Sequence, residues 1–198
     1  MKQILVGITG NIGSGKSLVS SVIQEFGYPV FDADLSGRTI LDHHRNAIEA
    51  VKKILGDSVY ADGKADRKKI AAIVFKDPEK LKALNEVIHP LVAEDFEQWR
   101  KNQKTDLIFR EAAIMIESGA YRNLDHLILV KCPEQTRIDR VIQRDKSTPE
   151  LVLQRIKNQM PEEEKEKYAD FVIVNDGFHA VIPQIQSLIH QLTSHAHS

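Results

Sequence analysis

The segment that most constrains this chain is an apolar run followed by a glycine-rich octapeptide: Ile4-Leu5-Val6-Gly7-Ile8-Thr9, then Gly10-Asn11-Ile12-Gly13-Ser14-Gly15-Lys16-Ser17. The run reads as a buried strand, and Leu18-Val19-Ser20-Ser21-Val22-Ile23 behind the loop continues as a helix. A strand, a loop of the form Gly-x-x-x-x-Gly-Lys-Ser and a helix open a crossover unit, which requires a parallel sheet covered by helices. The loop also carries chemistry. Its glycines let successive backbone N–H groups turn toward one centre, where the helix N-terminus adds positive potential. In such a loop Lys16 reaches the β- and γ-phosphates of a nucleotide, and the Ser17 hydroxyl ligates Mg²⁺. Asn11, Ile12, Gly13, Ser14, Gly15, Lys16, Ser17 and Leu18 are therefore candidates for holding a nucleotide polyphosphate.

Further apolar runs read as strands at Pro29–Phe31, at Leu107–Phe109 with a continuation to Ile116, at Leu127–Lys131 and at Phe171–Val174. Helical patterns separate them, so the expected fold is a P-loop NTPase-like three-layer α/β/α core with a parallel five-stranded sheet. Ligands of such sheets sit beyond the carboxyl ends of the strands. That directs attention to Gly10 onward, Asp32 and Asp34, Glu111 to Glu117, and Asn175-Asp176. The interval between the second and third strands is far longer than one crossover helix needs. Residues 35–104 are expected to form a helical insertion, with packed stripes at Ile48-Val51-Ile54-Leu55 and Leu81-Leu84-Val87-Ile88 and a turn at Asp62-Gly63. Residues 136–168 form a second, strongly charged stretch, leaving 1–34, 105–135 and 169–198 as the core. The tail from Thr193 to Ser198, with His195 and His197, is small and polar and is expected to fray.

Charge excludes some functions. With 27 basic and 28 acidic residues the net charge is −1, so no bulk nucleic-acid binding is expected and any polyanion site must be local. No stretch is long enough to span a bilayer, and the first strand begins too near Met1 for a signal peptide. The lone Cys132 cannot form an internal disulfide and reads as a small apolar residue, which suits a cytoplasmic protein.

Several side-chain groups could act on a bound nucleotide. Asp32-Ala33-Asp34 follows the second strand, and residues two apart can share a side. One carboxylate could take a proton from an attacking hydroxyl and the other order Mg²⁺ waters; alternatively one merely caps the helix beginning at Leu35. Arg137, Arg140 and Arg144 share a helical face opposite Ile138, Val141 and Ile142, as either a solvated face or a lid whose guanidiniums stabilise migrating charge. His89-Pro90 ends a helical stripe, where a satisfied, partly buried histidine is the plainer reading. Asp66 caps a helix whose Arg67-Lys68-Lys69 is either solvated surface or a small anion cradle. His43-His44 cannot easily bring both rings to one metal, so no metal beyond Mg²⁺ carried with the nucleotide is expected. Asp34-Leu35-Ser36-Gly37 mimics a GTPase Asp-x-x-Gly, but no Asn-Lys-x-Asp accompanies it.

Taken together, the chain from Val6 to about Asn175 resembles the dephospho-CoA kinase family. The matching stretches are the loop, Phe31-Asp32-Ala33-Asp34, Asp62-Gly63 with Asp66-Arg67, Val74-Phe75 and Ile88-His89-Pro90. Later come Glu117-Ser118-Gly119, Arg140 with Arg144-Asp145, Arg155-Ile156-x-x-Gln159-Met160-Pro161, and Ala169 through Asn175. The resemblance implies ATP- and Mg²⁺-dependent phosphorylation of the ribose 3′-hydroxyl of dephospho-CoA, with a substrate-binding insertion and a lid. It makes Asp34 the base, places Asp32 near Mg²⁺, and sets Arg144 at the phosphates with Arg140 behind it. It directs Arg67, His89 and Glu117 to the substrate side, and Gln159-Met160, Asn175 and Gly177 to the region near adenine. Three departures stand out: Asn11 where the family usually has glycine, Leu18 for a common threonine, and Ala113-Ile114-Met115-Ile116-Glu117 for Pro-Leu-Leu-Phe-Glu. The rival readings are another small P-loop kinase for a nucleoside, nucleotide or sugar, a non-enzymatic nucleotide switch, and a degenerate structural loop.

Overall fold

A computed structural model describes residues 3–195; Ala196, His197 and Ser198 of the polar tail lie outside the described residues. The chain runs β1 (Ile4–Thr9), α1 (Lys16–Glu25), β2 (Val30–Asp32), α2 (Ala33–His43), α3 (Arg45–Leu55), β3 (Tyr60–Ala61), β4 (Lys64–Ala65), α4 (Arg67–Val74) and α5 (Pro78–Lys101). It continues with β5 (Leu107–Glu111), β6 (His126–Lys131), α6 (Glu134–Asp145), α7 (Pro149–Lys157), α8 (Glu162–Glu166), β7 (Phe171–Val174) and α9 (Val181–His195). Two compact units result. One is Asp32–Asn102, and the other joins the chain up to Phe31 with everything from Gln103 on, including the charged stretch at 136–168.

The larger unit is a three-layer α/β fold on a parallel five-stranded sheet of order β2-β5-β1-β6-β7. Strands covered on both faces need no polar alternation, which is why β1 and β6 are continuous apolar runs. Val6, Ile8, Phe109, Ile128 and Val130 meet Val19 and Ile23 of α1 and Ile185, Leu188 and Leu192 of α9 in one core. Register then sets the chemistry: Ile8 pairs with Glu111 and Thr9 with Leu129, so β1 and β5 end together where the loop begins.

Two expectations here are corrected. The third strand stops at Glu111 instead of running on apolar to Ile116, because the chain turns there and the Ala112 N–H donates to the Ile8 carbonyl at 3.0 Å. Met115 and Ile116 keep their apolar character because the turn is buried. The tail does not fray at Thr193: α9 reaches His195, with the Thr193 and Ser194 hydroxyls donating to the carbonyls of Ile189 and His190 at 2.9 and 2.7 Å.

The smaller unit is helical apart from the β3–β4 hairpin. Its Asp62-Gly63 turn has φ of 50° and 76°, the left-handed pair that a tight hairpin needs. Helix α5 packs against α2 and α3 through Leu84, Ile88, Val92 and Phe96, and the Ser36 hydroxyl donates to Asp95 at 2.5 Å. Pro90 lies inside α5 and does not end it. Buried residues at four-residue spacing on both sides of the proline carry the helix across its missing N–H.

Candidate active site

The loop from Gly10 to Ser17 joins β1 to α1 as expected, and its geometry admits few alternatives. Gly13 (φ 80°) and Gly15 (φ 93°) are left-handed, and a Cβ on either would collide, at 2.5 Å with the Arg137 carbonyl and at 2.0 Å with the Asn175 amide. A left-handed φ together with close approach, of the Arg137 backbone at Gly13 and of the Asn175 side chain at Gly15, is the reason for glycine at these two positions. Gly13→Ala is expected to destabilise the fold by at least the ~1–2 kcal/mol of a strained left-handed residue, and to weaken nucleotide binding. Thermal melts with and without ADP would read both effects; an unchanged ADP-induced shift would remove Gly13 from the cradle.

Lys16 and Ser17 sit at the start of α1. The Lys16 ammonium donates to the Gly10 carbonyl at 2.9 Å, folded over its own loop. The Ser17 hydroxyl donates to Glu111 at 3.3 Å, and Ser20 donates to the other oxygen of the same carboxylate at 2.6 Å. Glu111 is only 6% exposed, so a buried carboxyl oxygen stands beside the loop serine. Leu18 is half-exposed. The Ser14 hydroxyl is buried with no hydrogen-bond partner.

The three arginines of α6 do not act as one face. Arg137 is 4% exposed, and its Nε donates to the Cys132 carbonyl at 3.0 Å, closing the start of the helix. Arg140 donates to the Asn175 carbonyl at 3.0 Å and lies 3.3 Å from the Cys132 sulfur. Cys132 is buried, and burial pushes its thiol up, which keeps it an inert apolar residue. Asn175 in turn donates its side-chain amide to the Ser14 carbonyl at 2.8 Å. Arg144 is exposed and paired in fork geometry with Asp145, at 2.8 and 3.3 Å, and Arg155 of α7 meets the same carboxylate at 2.8 Å. Two guanidiniums hold the Asp145 carboxyl down at about 2. The apolar side of α6 behaves as expected: Ile138 and Val141 pack with Val152 and with Ile12 of the loop.

Gln159 and Asn175 address the loop backbone: Gln159 accepts from the Ile12 N–H at 2.8 Å, and Asn11 donates to the Met160 carbonyl at 3.3 Å. Glu117 accepts from the Met160 N–H and pairs with Lys165, both at 3.0 Å.

In the smaller unit, the strand-then-loop expected for Asp32-Ala33-Asp34 is instead a helix start. Asp32 is the N-cap of α2, accepting from the Leu35 N–H at 2.8 Å, and Asp34 stands in its first turn. Asp66 caps α4 as expected, and Arg67 pairs with Asp42. His89 lines an open groove on α5 with Leu81, Asn85 and Glu86.

The dephospho-CoA kinase family model matches residues 4–180, nearly the whole chain. The chain belongs to the dephospho-CoA kinase family. A curated dephospho-CoA kinase from Aquifex aeolicus is 40% identical over 98% of each chain. The crystal structure of TT1252 from Thermus thermophilus superposes with a TM-score of 0.87 at 36% identity, covering 97% of this chain and 99% of that one. A dephospho-CoA kinase from Campylobacter jejuni superposes at 0.69 with 29% identity, covering 97% and 98%. Among the described residues of this dephospho-CoA kinase family member, no helix is long and apolar enough to cross a membrane.

Sequence reasoning gave no role to Asp145 or Lys165, set Arg137 on one face with Arg140 and Arg144, and named Glu111 only among the residues beyond a strand's carboxyl end. The register of Glu111 with Ile8 of β1 is what sets it beside the loop serine. Lys165 had no such signal: a lysine in Glu162-Glu163-Glu164-Lys165-Glu166 looks like solvated surface until its full burial is seen.

Proposed function

We propose that this chain transfers the γ-phosphoryl group of ATP to the ribose 3′-hydroxyl of dephospho-CoA, giving CoA and ADP at the last step of CoA synthesis. The observation that carries the reading is the Ser17–Glu111 pair at the mouth of an intact loop, in a chain of the dephospho-CoA kinase family. The donor set fits a magnesium nucleotide. Loop amides and the buried, unpartnered Ser14 hydroxyl suit phosphate oxygens, while Ser17 and Glu111 offer the hard oxygen ligands that Mg²⁺ prefers. Bound there, Mg²⁺ would supply positive charge to the β- and γ-phosphates.

The residues then divide the work. Lys16 leaves the Gly10 carbonyl to neutralise the β- and γ-phosphate oxygens. Asp34 accepts the proton of the 3′-hydroxyl as that oxygen bonds to the γ-phosphorus and the bond to the β-phosphate oxygen breaks. Asp32 caps α2 and orients solvent near the metal. Arg144 leaves Asp145 for the migrating phosphoryl group, with Arg140 behind it holding the Asn175 side of the loop. Residues 136–168 serve as the lid, excluding water and so limiting ATP hydrolysis. The helical insertion binds dephospho-CoA, with Arg67 and His89 on the substrate side.

The deciding experiment is coupled ADP release with dephospho-CoA as acceptor, followed by mass analysis for one added phosphate. Activity confined to nucleosides, nucleotides or sugars would overturn the assignment. Arg144→Ala is expected to lower kcat by about 10³-fold, as loss of a transition-state arginine does, with a far smaller change in KM for ATP. A loss confined to apparent ATP affinity would make Arg144 a binding residue.

A further inference from the structure

We infer that the buried Lys165 and its exposed partner Glu117 form a positioning lock for the phosphate loop, acting through Met160 and Gln159; the inference rests on the nucleotide-binding reading above. Lys165 is fully buried in α8, and its ammonium donates to the Ala113 carbonyl at 2.9 Å and meets Glu117 at 3.0 Å. The same Glu117 oxygen accepts the Met160 N–H at 3.0 Å. The Met160 carbonyl accepts from Asn11, and its neighbour Gln159 holds the Ile12 N–H at 2.8 Å. The chain of contacts closes on itself, because the Thr9 hydroxyl at the end of β1 donates to the same Ala113 carbonyl at 3.5 Å. The loop between Thr9 and Gly13 is thereby strapped at both ends to one buried charge.

A fully buried ammonium is a poor way to gain stability, since an apolar side chain of similar volume does as well or better. What it does supply is one fixed arrangement. A charge that must keep its partners tolerates few alternative placements of residues 159–161, and these residues set the peptide orientations at Asn11 and Ile12. Preorganised backbone donors are what a phosphate cradle requires. Glu117 is on this reading a residue of the loop support, not of the acceptor site. Asn11 adds a tie of its own to Met160.

The test is the double variant Lys165→Met with Glu117→Gln, which removes both charges together and keeps an acceptor for the Met160 N–H. It is expected to melt close to the parent while the ADP dissociation constant by calorimetry, and KM for ATP, rise about tenfold. KM for dephospho-CoA should stay within about twofold of the parent. Parent-like ADP affinity in the folded double variant would overturn the lock, and so would an equal rise in both KM values, which marks a general softening. If the double variant does not fold, Asn11→Gly decides. Weakened ADP binding there supports the strap, and unchanged binding overturns it. Failure of the parent to phosphorylate dephospho-CoA would sink the proposed reaction instead, while the ADP titrations still judge the lock.

Discussion

Lys16→Met is expected to lower kcat by about 10²- to 10³-fold, the usual loss when one preorganised donor to a developing anion is removed. The geometry makes this a clean experiment. The loop conformation does not depend on the lysine: it is set by left-handed Gly13 and Gly15, by Asn175 on the Ser14 carbonyl and by Gln159 on the Ile12 N–H. Among the side chain's contacts is the 2.9 Å bond to the Gly10 carbonyl, which a nucleotide would displace. Methionine keeps the length and removes the charge, so the cradle should persist and ADP should still bind, more weakly. Lys16→Arg is not expected to rescue, because a planar fork cannot replace a point charge folded over its own loop. Calorimetry with ADP, beside turnover by coupled ADP release, separates the two effects. Parent-like kcat in Lys16→Met would take the lysine out of phosphoryl transfer.

The core was legible because strands buried on both faces announce themselves as unbroken apolar runs, and the loop pattern marks where the first of them ends. Element ends were read well where a local rule governs them, as at Asp66 and at Asp62-Gly63, both decided by hydrogen bonds or φ values within a few residues. They were read badly where packing governs. Pro90 suggested a helix end because its missing N–H is a local cost, yet Leu84, Ile88, Val92 and Phe96 hold α5 together through it. The same contrast runs through the site. Lys16, Ser17 and the loop glycines follow from spacing alone. The fates of Arg137, Arg140 and Arg144 do not, since a helical wheel gives all three one face. Only the fold shows that the Cys132 carbonyl, the Asn175 carbonyl and the Asp145 carboxylate take one each. Long-range partners of this kind, such as Asn175 and Ser14, 161 positions apart, leave no trace in local pattern.

Asp34→Asn is expected to lower kcat by about 10²- to 10⁴-fold, the range for loss of a general base, and to leave ADP affinity and the melting temperature near the parent. The helix start is what separates this aspartate from its neighbour. Asp32 holds the cap of α2 by accepting the Leu35 N–H, so a change at Asp34, one turn-position inside, leaves that bond intact. Asparagine also caps about as well as aspartate, so Asp32→Asn should preserve the helix while removing a charge. The two variants therefore differ in chemistry and not in fold. Asp32→Asn should cost less in kcat than Asp34→Asn, and its loss should ease as Mg²⁺ concentration is raised if its carboxylate orders solvent near the metal. Excess Mg²⁺ should do nothing for Asp34→Asn, whose defect is in accepting the hydroxyl proton. Turnover that survives Asp34→Asn but collapses in Asp32→Asn would transfer the base to Asp32, and would mean that a helix cap and a proton acceptor share one carboxylate.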